Sequence, residues 1–156
     1  MKTFGFLTDE QVRPIQEALA HPNNIYMALF DRQSLWDPIT LDLVLESFPS
    51  GHIDSADLFL VLAECIANAV LHGQAEILGF SARRRSDILL FTFLQKPPMQ
   101  KRISAVLSMA KGGQIRECSM EVPGGLGFPI LLKLARKITI SSDYRKLHLW
   151  IKADAG

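Results

Sequence analysis

The chain has little cysteine: Cys65 and Cys118 are the whole supply. They lie far apart and match neither a zinc-binding nor a dithiol redox spacing. Cys65 falls inside an apolar run, where a free thiol behaves as a small hydrophobe. This usage leads us to expect a reducing, cytoplasmic setting. Charge of one sign is also lacking. Lys and Arg number 17 against 16 Asp and Glu, a net +1, so no large field drives the protein toward nucleic acid or a membrane surface. Only a local basic patch would do so. No long apolar run is uninterrupted: the longest is broken by Glu64 and Asn68, which argues against a membrane span. No secretory leader is expected at the start, because polar residues follow Lys2 too soon. Internal repeats and low-complexity tracts are absent as well.

What is present suits one globular domain. The 156 residues are enough for a proper core, and 48% apolar with 21% charged is an ordinary balance. The stretch 8-TDEQVRPIQEALA-20 reads as a helix, with Thr8 and Gln11 as a capping box. Pro14 moves its expected start toward Arg13 or kinks it there. The apolar run 25-IYMALF-30 reads as a strand. Asp37 as N-cap and Pro38 at the first helical position open a helix over 38–48. A further helix spans 54–72, with Asp54 or Ser55 as cap and Gly73 just past its end. The runs 75–82 and 87–94 predict a hairpin around 83-RRRS-86. That basic turn is either a solvated tip or a docking patch. A short helix over 101–111, a polar loop and a helix over 127–137 follow, then a second hairpin of 137–142 and 147–153. Strands arriving mainly as hairpins predict an α+β fold: a two-layer α/β sandwich, with a mixed, mainly antiparallel sheet and helices on one face.

The 54–72 helix carries the sharpest question. Between Leu58 and Leu71 only Glu64 and Asn68 are polar. A helix so apolar is expected to be buried on most sides. Residues four apart share a face, so Glu64, Asn68 and His72 form one stripe. A buried carboxylate without a partner is costly or shifts its pKa, and Asn is a poor helix-interior residue. One reading is a site lining. The other has Glu64 paired with a buried cation, Asn68 bonded to a loop, and His72 answering the helix dipole. A second constellation, 124-GGLGF-128, stands before a helix. Glycines there let backbone N–H groups approach an anion, or simply make a flexible joint. It is neither a P-loop, for no Gly-Lys-Ser/Thr follows, nor a dinucleotide fingerprint, for the third glycine is missing.

Taken together, the two constellations resemble a known family. The sequence 64-ECIANAVLHG-73 is similar to the N box, E-x-x-x-N-A-x-x-H-G, of histidine-kinase-like (GHKL, Bergerat-fold) ATPases. The trailing His-Gly looks most like the anti-sigma-factor serine/threonine kinases. The later 125-GLGF-128 and the hairpin of 137–152 resemble their second glycine box and terminal hairpin. The likeness covers 54–152 well and 25–50 loosely. It implies one histidine-kinase-like ATPase domain over 1–156, with residues 1–20 as an added N-terminal helix.

The resemblance also implies roles. Glu64 would be the general base, a carboxylate suited to take a proton from a serine hydroxyl or water. Asn68 would hold Mg²⁺ through its side-chain oxygen. His72 and Gly73 would close the pocket beside ATP. Gly124, Gly125, Leu126, Gly127 and Phe128 would form the phosphate-binding turn, with Gly125 and Gly127 presenting N–H groups. Lys111 and Arg116 would be weaker phosphate contacts. The sequence departs from the family where an Asp-x-Gly-x-Gly box should bind adenine. That position reads 91-FTFLQKPPM-99, so Gln95, or Leu94 if the register slips by one, stands for the aspartate and Pro97-Pro98 for a glycine turn. The family's activity would be Mg·ATP-dependent phosphorylation of an anti-sigma-factor antagonist, with capture of a sigma factor. Transcription would thus be regulated by partner switching, with no direct nucleic-acid or membrane contact and a possible homodimer. The alternative is a degenerate ATPase-fold regulator that binds proteins and little or no ATP.

Overall fold

In a computed structural model the described residues are 1–99 and 128–155. Thr8 opens the first helix by the reciprocal bonds its sequence requires. Its hydroxyl oxygen accepts from Gln11 N at 3.3 Å, and Gln11 Oε1 accepts from Thr8 N at 2.9 Å. The helix, α1 (Asp9–Leu19), therefore starts at its cap rather than near Arg13, and it contains Pro14. Before it lies a strand, β1 (Lys2–Phe4), so residues 1–20 are more than an added helix. Three residues are too few to display a period in the sequence.

Strand β2 (Asn24–Asp31) runs into a short helix, α2 (Arg32–Leu35). Asp31 joins these parts: its carboxylate accepts from Ser34 N and from Phe6 N, both at 2.8 Å. Helix α3 (Pro38–Ser47) has Asp37 as its cap, accepting from Ile39 N at 3.1 Å. Helix α4 (Ser55–Ala67) is capped by Asp54 and passes into a π-helical turn, Asn68–His72. Strands β3 (Ile77–Arg85) and β4 (Ile88–Lys96) form the expected hairpin. Helix α5 (Phe128–Leu134) precedes β5 (Ala135–Ile140) and β6 (Lys146–Lys152). The expected 127–137 helix thus stops earlier, and β5 takes its last residues. The expected 101–111 helix lies outside the described residues.

The fold is α+β, with six strands in one open mixed sheet ordered β1-β2-β3-β4-β6-β5. The β1–β2 pair is parallel, and the other pairs are antiparallel. One sheet face buries Phe30, Phe80, Phe91 and Leu149 under α3 and α4, with Val44, Val61 and Leu62 from the helices. Helices on one face only is, however, not what forms. Helix α1 covers part of the opposite face, where Ile15 and Leu19 pack on Leu29, Ile77 and Leu94. The strands there are apolar on both parities, so both faces need cover. Compatibility with a two-layer sandwich rests on α3 and α4; α1 adds a partial second cover. The arginines expected in the turn belong to the strand instead: Arg83, Arg84 and Arg85 end β3, and the turn is Ser86-Asp87. Arg84 reaches His52 Nδ1 and the Asp154 carbonyl, both at 2.9 Å, and so ties the end of β3 to two other segments.

Two predictions follow from the α1 side of the sheet. A Cβ at Gly79 would lie 2.7 Å from Ile15 Cγ2 and 2.8 Å from Leu19 Cδ1. Gly79→Val should therefore lift α1 and cost about 1–3 kcal/mol in urea unfolding. Beyond α1, His148 Nδ1 lies 3.0 Å from Thr92 Oγ1. Burial, then Lys146, then Arg83 lower its pKa from the usual 6.5. The unfolded chain thus takes up this proton more readily than the folded one. This share of stability is fully present above pH 6.5 and is lost as pH falls through the depressed folded value. His148→Gln should flatten that part of a stability-against-pH profile.

Candidate functional site

The candidate site is built where α4 ends against the tip of β4. Regular helical bonding gives way at Asn68, whose carbonyl accepts from Gly73 N at 2.9 Å, while Ala69's carbonyl accepts from Ala75 N at 2.9 Å. Such π turns occur often at functional sites. Glu64 and Asn68 share a face of α4, and His72 is the last residue of the wider turn. Glu64 is half-buried, and Asn68 is buried at 7% exposure.

Gly73 caps the end of the helical turn, as expected, but its φ of −92° and ψ of −11° are open to any residue. Space is what requires a glycine. A Cβ would stand 2.8 Å from both polar atoms of the Gln95 side chain and 3.0 Å from the Ala69 carbonyl. The left-handed conformation belongs instead to Gln74, at φ 52°. Gln95 is buried at 5% exposure, and its Nε2 donates to the carbonyls of Gly73 at 3.1 Å and Pro97 at 3.0 Å. The structure thus brings together Asn68, Gly73 and Gln95, three of the sequence-derived candidates. It places Gln95, rather than Leu94, at this junction, because Leu94 faces α1.

Asn68 and Gln95 line a small void with Cys65, Leu78, Phe93 and Met99. Its volume is about 20 Å³, room for one water. Asn68 Nδ2 is buried there with no hydrogen-bond partner among the described residues. Burial and the neighbouring Glu64 both push the Cys65 thiol's pKa up, so Cys65 is an inert wall of the void. Met99 was not foreseen. It is buried, and its N–H donates to the Tyr144 carbonyl at 2.7 Å, an interaction that leaves no mark in a one-dimensional pattern.

These contacts test the implied ligands directly. The void of about 20 Å³ walled by Gln95 and Met99 is too small for an adenine, while Gln95 also borders a larger cleft of about 370 Å³ with Pro14, Glu76, Pro97 and Arg145. The Gln95 Nε2 group is committed to two carbonyls. On the metal side, no group of three or more His, Cys, Asp or Glu is clustered among the described residues. A cation there would rest on Asn68 and on its ligand's own oxygens. Gly124, Gly125, Leu126 and Gly127 lie outside the described residues, as do Lys111 and Arg116. Phe128 is the first residue of α5. No described helix is long and apolar enough to cross a membrane. Comparisons with protein-family models, curated proteins and solved structures find no match.

The contact between Gln95 and Gly73 can be measured. Gly73→Ala should cost about 1–3 kcal/mol through the clash with the amide. Gln95→Ala should cost a similar amount, about 1–3 kcal/mol, because two carbonyls lose their donor. Truncating Gln95 also empties the space the new methyl needs. In a urea-unfolding double-mutant cycle the double variant should therefore lose less than the sum of the singles. Strict additivity would mean that the two residues do not meet.

Proposed function

We propose that this chain is a partner-switching regulator of the anti-sigma-factor type, on a histidine-kinase-like ATPase scaffold with little or no ATP binding. Its work is done by protein–protein contact, with a sigma factor or an anti-sigma-factor antagonist as the class of partner. The observation that carries this reading is the Gln95 amide. It is buried, bonded to Gly73 and Pro97, and set where the resembled family keeps an aspartate for adenine. Both Nε2 hydrogens are turned onto backbone carbonyls, which fixes the amide in place where the family has a charged acceptor, and the prolines behind it cannot copy a glycine turn.

A second reading is favoured by the pair on α4. Glu64 and Asn68 are both kept, at the spacing that an Mg·ATP-dependent serine/threonine kinase of this type uses. In that reading bound Mg·ATP supplies the phosphoryl group. Glu64, half-buried and open to a substrate, takes the proton of a serine hydroxyl. Asn68 holds the metal through its side-chain oxygen.

Isothermal titration with ATP, with and without Mg²⁺, on the wild type and on Asn68→Ala separates the two. The expected result is no binding heat at roughly millimolar ATP, where a functional site gives a clear signal. Magnesium-dependent binding that Asn68→Ala abolishes would establish the kinase reading instead.

A further inference from the structure

Helix α4 does not have the all-round burial its composition calls for. Phe59 is 44% exposed and Leu71 59%, while Trp36 after α2 is 58% exposed. These side chains border a groove between the 34–42 segment and α4, with a volume of about 460 Å³. Its floor is apolar, formed by residues such as Leu41, Ala63, Ile66 and Val70. Large apolar side chains left exposed around a concave apolar floor are the form a docking groove takes.

Charge identifies what docks there. From residue 33 to residue 82 the chain has seven Asp or Glu and no Lys or Arg, although the whole chain is net +1. Asp37 and Asp42 line the groove itself and are exposed. Asp57 and Glu64 are half-buried on α4, and Glu46 is exposed on α3. A second copy docking face to face would set this acidic rim against itself. An anionic membrane or a nucleic acid would be repelled in the same way. The groove is walled by helix side chains and presents no strand edge. An extended segment would leave its own N–H and C=O groups unpaired, whereas a helix satisfies them internally.

We infer that the groove between the 34–42 segment and α4 binds a basic amphipathic helix of a protein partner. Apolar residues of that helix at i, i+3 or i+4, and i+7 fill the floor between Trp36, Phe59 and Leu71. Lysines or arginines on its flanks meet Asp37 and Asp42. The groove lies on a different flank of α4 from Glu64 and Asn68, so the inference stands whether or not the chain binds ATP.

The test uses the intact chain without nucleotide. The probe is a designed Leu/Lys amphipathic helix, and the control is the same peptide with every Lys replaced by Glu. Fluorescence anisotropy measures affinity, and amide chemical-shift mapping locates the site. The Lys peptide should bind, weaken as salt rises, and perturb amides around Trp36, Phe59 and Leu71. The Glu peptide should bind at least about tenfold more weakly. Asp42→Lys, at an exposed position that leaves the core intact, should weaken the Lys peptide by about tenfold and leave the fold unchanged by circular dichroism. Four outcomes would overturn the inference: no binding, equal binding of both peptides, perturbations elsewhere on the chain, or a dimer in sedimentation that Leu71→Asp dissolves. The last would give the groove to a second copy.

Discussion

At the centre of the core under the helices, one aromatic side chain meets two adjoining strands and the end of α3. Phe80, fully buried at the centre of β3, lies 4.9 Å from Phe93 and 5.3 Å from Phe91 between ring centroids. It also lies 6.0 Å from Tyr26 and 6.5 Å from Phe48. Those partners come from β4, from β2 and from the residue that ends α3, so a single ring is the common neighbour of two adjoining strands and the end of one helix above them. Aromatic pairs of this kind add about 0.5–1.5 kcal/mol each beyond the area they bury. The Tyr26 hydroxyl completes the arrangement at 2.7 Å from Ser47 Oγ, which fixes the end of α3 over β2. What α4 presents at its far end depends on that roof holding still.

The economy of α4 follows. Consecutive helical residues point about 100° apart, so one helix offers three flanks. Leu58, Val61, Leu62 and Cys65 seal the core. Glu64 and Asn68 form a narrow polar edge toward the tip of β4. Phe59, Ala63 and Ile66 floor the groove. An apolar helix of this composition looks redundant in sequence because two of its flanks are apolar for different reasons.

That distinction explains what could be read from the sequence and what could not. Capping chemistry is local, so Thr8 with Gln11, Asp37 with Pro38, and Asp54 each mark a helix start that the structure keeps. Both hairpins follow from alternation and are where they were expected, with strand ends shifted by one to three residues. The π turn could not be read, because every argument from spacing presumes a regular helix, and this helix stops being regular at Asn68. Nor was the reason for Gly73 legible, since it depends on Gln95, 22 positions away. One missed feature did leave a signal. The run 27-MALF-30 is apolar on both strand parities, which is the mark of a strand covered on two sides, and α1 is the second cover. Arg84 left none: a strut and a solvated arginine look alike in a sequence.

The absence of cations from residue 33 to residue 82 has a consequence for encounters in solution. The basic residues of the described fold lie outside that segment, among them Arg83, Arg84 and Arg85 at the end of β3 and Lys137, Lys146 and Lys152 on the last two strands. A net charge of +1 leaves little long-range pull on the molecule as a whole, while charge along the chain is unevenly shared. Screening confines what the acidic segment can feel to about 8 Å at physiological ionic strength, so its charge acts only in the last moments before contact. Neutrality in the sum leaves the contact itself, rather than long-range attraction, as the part of the encounter that charge controls.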